Sequence, residues 1–205
     1  MNWETLYLFC LASTLLALAP GPDNIFVMVQ SMVYGVKSGI ATTFGLMSGC
    51  LIHTSLVAFG VSALIQQSTV AFTILKTAGA LYLLILAYKV FRSEAAIAID
   101  TSNQPQKTYM ALYFKGFLMN VLNPKVAIFF LAFFPGFLFH EQMSTVKQFF
   151  VLGFLFMLVS LVIFGTLAYL SGKVSKYLMR QQAAANVLKW MQIVVFVGIA
   201  VFILL

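Results

Sequence analysis

The chain has 205 residues, of which 12 are Lys or Arg and only 5 are Asp or Glu, so charged residues make up 8% against about 25% in a soluble domain. Hydrophobic residues account for 62%, with 21 Phe, and the mean hydropathy is +1.00. So few charges cannot cover a water-exposed surface, and the net charge of +7 is scattered between apolar runs, which excludes a soluble enzyme, a disordered chain and a nucleic-acid partner.

A helix needs about 20 mostly apolar residues to cross a bilayer. Six segments meet that requirement, at 5–34, 39–65, 70–91, 111–139, 147–171 and 187–205. The expected fold is an all-α membrane protein of six transmembrane helices. Strand alternation is absent, and the 25 residues from Gln148 to Gly172 carry no charge, which fits a helical span far better than a barrel strand. Span 1 holds Ala17-Leu18-Ala19, which resembles a cleavage site. Its start carries Glu4 and no Lys or Arg, however, contrary to a signal peptide, so the span is expected to be retained. Cys10 and Cys50 lie in separate spans without Cys-x-x-Cys spacing and read as small buried hydrophobes.

Spans 1 and 4 are interrupted by proline, at Gly21-Pro22-Asp23-Asn24 and at Asn123-Pro124-Lys125. Proline inside a helix removes a backbone donor and clashes with the preceding turn, yet it sits well as the first residue of a new helix. Both sites read cap, proline, ionisable residue. Pro22 and Pro124 stand 102 residues apart, each in the first of three spans. Three is odd, so the second half enters the membrane the opposite way round. The expected organisation is two inverted three-helix repeats, 1–91 and 111–205, joined by a cytoplasmic linker over 92–110. Each break would place free N–H groups near mid-bilayer, where they attract an anionic group. A structural kink is the alternative for one proline; a matched pair with charges points to a site.

Asp23 and Lys125 are the charges that lie away from loops and span ends. An ionised group at mid-bilayer costs at least about 2.5–3.5 kcal/mol, so such residues are functional by default, with a static pair as the alternative. Gly45, Gly49 and His53 are spaced by four on one face of span 2. The glycines allow a neighbouring backbone to approach closely, which would carry His53 towards the break in span 1. For the glycines alone, packing is the first reading. For His53, a hydrogen-bonded core histidine and a proton-handling group both stand. Asn120 and Asn123 add polar contacts.

Taking alternate loops to one side, Lys37, Lys89, Arg92, Lys107, Lys115, Lys173, Lys176, Arg180 and Lys189 face Lys76 and Lys147 across the membrane, nine against two. Positive residues concentrate in the cytoplasm, so both termini should lie outside. Trp3 and Trp190 suit interfacial anchors.

At these residues the chain resembles the LysE/RhtB family of amino-acid exporters. The likeness rests on Ala19-Pro20-Gly21-Pro22-Asp23-Asn24, Gly45-x-x-x-Gly49-x-x-x-His53, Leu75-Lys76-x-Ala78-Gly79-Ala80-x-Tyr82-Leu83 and Asn120-x-x-Asn123-Pro124-Lys125. It covers essentially the whole chain. The resemblance implies a bacterial inner-membrane carrier, without a cofactor, that expels amino acids or close derivatives in exchange for protons. It also implies that the two proline segments line the route. The substrate set would then be Gly21, Pro22, Asp23, Asn24, Gly45, Gly49, His53, Asn120, Asn123, Pro124 and Lys125, with Asp23 and His53 handling protons. Lys125 and the half-helix N-termini would receive the substrate carboxylate, and Asp23 its ammonium.

An exporter of another small ion or metal is the alternative, but one intramembrane Asp and one His beside a lysine make a poor divalent-cation site. No His-Glu-x-x-His or Gly-x-Ser-x-Gly motif is present, which speaks against an intramembrane enzyme. The glycine-rich faces either meet a second copy, giving a homodimer, or are satisfied within one chain. Reporter tags should place both termini on the periplasmic or external side of the membrane; a cytoplasmic signal from either would overturn the orientation.

Overall fold

The computed structural model describes residues 2–93, 108–180 and 182–204, and no side chains at 66 and 172–185. Most of the linker expected over 92–110, with Lys107, lies outside the described residues, as do the side chains of Lys173, Lys176 and Arg180. Every regular element among the described residues is helical.

Span 1 is two helices, α1 (Trp3–Leu18) and α2 (Pro22–Tyr34), bent by 61°. The break spreads over several residues because there are two prolines in it. The residue before a proline is pushed to extended backbone, and both Ala19 (φ −60°, ψ 117°) and Gly21 (φ −161°, ψ 176°) are extended. Gly35, at φ +89°, then turns the chain into α3 (Val36–Ser55). The helix α3 runs on through a wider π turn at Leu56–Val61 into α4 (Ser62–Gln67). Ser68 caps α5 (Thr69–Arg92), its hydroxyl accepting from Ala71 N–H at 3.1 Å.

Span 4 repeats the theme. Helix α6 (Tyr109–Val121) stops two residues short of Pro124, and α7 (Pro124–Ile128) continues through a π turn at Phe129–Phe133 and a 3₁₀ turn at Phe134–Phe137. The two parts are bent by 51°. The wide turn precedes Pro135 and the tight turn contains it, since proline has no N–H for the ordinary ladder. Two long helices complete the chain, α8 (Thr145–Arg180) and α9 (Gln182–Leu204).

Four stretches, Val36–Ile65, Thr69–Arg92, Thr145–Ser171 and Asn186–Leu204, are long and apolar enough to cross a membrane; counting each bent pair as one span gives six. Large apolar side chains such as Leu122 and Tyr169 face outward, as they must where lipid is the solvent.

Because lipid tails are as apolar as the core, helices hold together by close fit rather than by expulsion of water. Phenylalanines supply part of that fit. Spacings of four put Phe129, Phe133 and Phe137 on one stripe of span 4, and Phe130 and Phe134 on the next. Phe130 stacks on Phe134 with ring centroids 4.2 Å apart, and the group meets Phe9 of α1, Phe156 of α8 and Phe202 of α9. The other part is glycine. A Cβ on Gly45 would strike the Tyr113 carbonyl, one on Gly116 the Thr42 carbonyl, and one on Gly49 would come 2.7 Å from the Asn120 side chain. The packing role expected of Gly45 and Gly49 is therefore against α6, and α3 and α6 run backbone against backbone. Likewise α5 lies along α9, and α8 touches α1, α2 and α3.

Gly45→Ala should lower stability by about 1–3 kcal/mol through overpacking, read as an earlier melting transition in detergent. Gly60→Ala, where nothing lies within 4 Å, should leave it unchanged or raised. Equal effects of the two would contradict the α3–α6 fit.

Candidate functional site

The site follows from an accounting of backbone groups. In an unbroken helix each carbonyl accepts from the N–H four residues on. Pro20 has none for Leu16, and the chain has left the helix before Gly21 can serve Ala17. Buried carbonyls in lipid must find other donors. Leu16 O and Ala19 O accept from Lys125 Nζ at 3.3 and 3.0 Å, and Ala17 O accepts from Asn24 Nδ2 at 2.8 Å. The lysine of the second break thus caps the C-terminal, negative end of α1. Its ammonium also lies over the Phe196 ring, 5.5 Å from the centroid.

The second break is closed from the first half in the same manner. Pro124 offers no N–H to Asn120 O, which instead takes His53 Nε2 at 3.1 Å as well as Asn123 N–H at 3.0 Å. A carbonyl only accepts, so Nε2 carries the hydrogen. His53 also lies beside Phe130, ring centroids 5.5 Å apart. It therefore packs at the break in span 4, not at the break in span 1 where the glycine spacing had placed it: Gly45 and Gly49 seat α3 on α6, which ends at that break.

Asn123 joins the two breaks. Its Nδ2 donates to Asp23 Oδ2 at 2.9 Å while its Oδ1 accepts from Lys125 N–H at 3.0 Å. Asp23 and Lys125 do not pair with each other: each binds the opposite break through a neutral partner. Asp23 Oδ1 is buried without a partner. Its carboxylate sits in the first turn of α2, where the helix dipole favours negative charge. Gly21 gives that helix no side-chain cap, whereas Asn123 caps α7.

Between the breaks lies a chamber of about 30 Å³. Gly21, Asp23, Asn24, Asn120, Asn123 and Lys125 line it, six of the residues expected from the sequence. Pro22 and Pro124 build the bends with their rings exposed, while Gly45, Gly49 and His53 stand behind the wall on α3. Cys50 and Ser160 also line the chamber and were not expected there, with Met47, Phe156 and Phe164 supplying apolar surface. Cys50 is one residue past Gly49 and so faces around the helix from α6 towards the chamber. A single serine in an apolar run was the one available hint for Ser160. The space suffices for a water or two, far less than an amino acid needs. A larger hollow of about 910 Å³ opens at the surface beside Trp3 and His140. Its edge is the 139–143 turn, knitted by Gln148, which accepts from Phe139 and His140 N–H and donates to the His140 and Met143 carbonyls. Among the described residues, no three His, Cys, Asp or Glu side chains gather as a metal site.

The profile of the LysE type translocator family matches residues 14–205. A homoserine/homoserine lactone efflux protein of Salmonella typhimurium is 34% identical over 188 residues, covering 91% of this chain and 90% of its own. An uncharacterized membrane protein of Vibrio cholerae is 32% identical over 171 residues, covering 83% and 82%. One of Bacillus subtilis is 26% identical over 174 residues, covering 81% and 82%. No solved structure matches the chain. Matched over nearly its whole length, the chain belongs to the LysE type translocator family and is a multi-pass membrane exporter of a small molecule, not an enzyme.

Proposed function

We propose that the chain expels a small amino acid or close derivative across the bacterial inner membrane by proton antiport, with Asp23 and Lys125 as the two ends of the substrate site. The observation that carries this reading is the chamber between the breaks, where an acid and a base converge without pairing and one carboxylate oxygen has no partner. A zwitterion matches that arrangement. Its carboxylate takes Lys125, with help from the uncapped start of α2, and its ammonium takes Asp23.

Binding then exchanges bonds rather than adding them. Lys125 releases Leu16 O and Ala19 O, and Asp23 releases Asn123. Those are the hydrogen bonds that join the two breaks directly, so their release loosens the closed chamber, while His53 on Asn120 O still holds span 2 to span 4. The chamber of about 30 Å³ must enlarge to admit the substrate, as alternating access requires. Support for two inverted repeats (1–91 and 111–205) comes from the packing: span 2 lies on span 4, span 5 on span 1, and span 3 on span 6, a pattern preserved when the halves are exchanged. With the basic loops inside, both termini lie on the outer face.

A proton and a substrate ammonium compete for the Asp23 carboxylate, which is the simplest basis for antiport. One proton crossing 100 mV supplies about 2.3 kcal/mol, roughly fifty-fold in concentration. His53 keeps the Asn120 bond in either protonation state, since its second proton goes to Nδ1. It therefore assists Asp23 by holding the break rather than by exchanging partners.

In proteoliposomes with an imposed proton gradient, Asp23→Asn should insert normally, lose gradient-driven efflux and bind substrate about 2–5 kcal/mol more weakly; full pumping would defeat the assignment. Lys125→Met should weaken substrate binding similarly and also destabilise by about 1–3 kcal/mol, because two buried carbonyls lose their donor. Unchanged affinity with lowered stability would make the lysine purely structural.

A further inference from the structure

Hydroxyl groups on lipid-embedded helices ordinarily donate to the carbonyl four residues back. Among the described residues ten do so, including Thr14, Thr42, Thr54 and Thr166. Ser160, in the middle of α8 and 1% exposed, does not, and its Oγ has no partner of any kind. Six side-chain polar atoms among the described residues are buried in this unpartnered way, and three of them, Asp23 Oδ1, Asn120 Oδ1 and Ser160 Oγ, belong to residues lining the one small chamber. A buried polar atom left unmatched is costly, and such a cluster marks a place where polar partners arrive from elsewhere.

The three are chemically unlike. Asp23 is assigned above to the ammonium. Ser160 both donates and accepts, and the Asn120 amide adds an acceptor and a donor. The amide cannot swing freely, because Gly49 leaves it only the space of a missing Cβ, 2.7 Å from its oxygen. The remaining wall beside Ser160 is apolar and bulky, made of Met47, Phe156 and Phe164. Resting on the carrier reading above, we propose that Ser160, with the Asn120 amide, is the subsite that reads the substrate's side chain. It selects a short side chain bearing a hydroxyl or carbonyl over an apolar one of equal length. A site that hydrogen-bonds a substrate hydroxyl rejects the isostere lacking it, because its own polar groups would then be stranded.

Homoserine and norvaline have the same number of heavy atoms and differ in one terminal group, so they make the test. In reconstituted protein, wild type should export homoserine at least about tenfold more efficiently than norvaline. Ser160→Ala should cut homoserine efflux efficiency about tenfold while leaving norvaline unchanged or improved, which collapses the preference. Asp23→Asn, run alongside, should abolish both. If Ser160→Ala changes neither substrate, or lowers both equally, with Asp23→Asn still inactive, the subsite is wrong and the carrier reading stands. If wild type moves no amino acid at all, the carrier reading falls and the subsite with it.

Discussion

Proline in a lipid-embedded helix leaves carbonyl groups that water cannot reach, and this constraint organises the molecule. Each of the two breaks frees carbonyls in the preceding half-helix. In both cases the donor comes from the other half of the chain: Lys125 of span 4 serves Leu16 and Ala19, and His53 of span 2 serves Asn120. Satisfying the backbone therefore cross-links the halves at the breaks and draws Asp23, Asn123 and Lys125 around one chamber. The repair of two helix breaks thus sets an acid and a base on a chamber lined by both halves of the chain, which is the placement the proposed site requires.

Much of this was legible in the sequence, for identifiable reasons. The spans follow from hydropathy, and their observed limits differ from the expected ones by only a few residues, since lipid thickness leaves little freedom. The breaks follow from Pro22 and Pro124, and the tight face of span 2 from the Gly45–Gly49 period. What sequence could not supply was partner choice. A lysine side chain is long and flexible, so nothing in Asn123-Pro124-Lys125 says that the ammonium ends on carbonyls three spans away. The direction of His53 depends on which helix fills the glycine groove. Four-residue spacing identifies the groove but not its occupant, and α6 rather than span 1 lies in it.

Ser160 was hidden for a different reason. In the charge-free run from Gln148 to Gly172 it looks like Thr166, an isolated hydroxyl content to bond its own helix. Only the missing bond separates them. Cys50 was hidden by its neighbours, being next to a packing glycine and three residues from His53, and like them it meets Asn120. The chamber wall is thus assembled partly from residues whose chemistry is unremarkable in sequence, and Ser160 becomes visible through what it fails to touch.

The indirect linkage of acid and base bears on how such a site can cycle. A direct buried pair between Asp23 and Lys125 would be costly to separate, because removing either partner strands a charge in low dielectric. Here each charge instead holds neutral groups, an amide for Asp23 and two carbonyls for Lys125. Hydrogen bonds with one ionised partner contribute about 1.5–3 kcal/mol, enough to keep the closed arrangement ordered. In the proposed carrier, a substrate zwitterion would offer each residue a bond ionised on both sides, which is stronger still. In the proposed exchange the substrate's carboxylate replaces the two carbonyls on Lys125 and its ammonium replaces the amide on Asp23, so the direct ties between the breaks part as it proceeds. On the reading proposed above, a ligand with only one of the two charges would release one tie and leave the other fastened, so selectivity for zwitterions and the opening of the chamber would share a single physical cause.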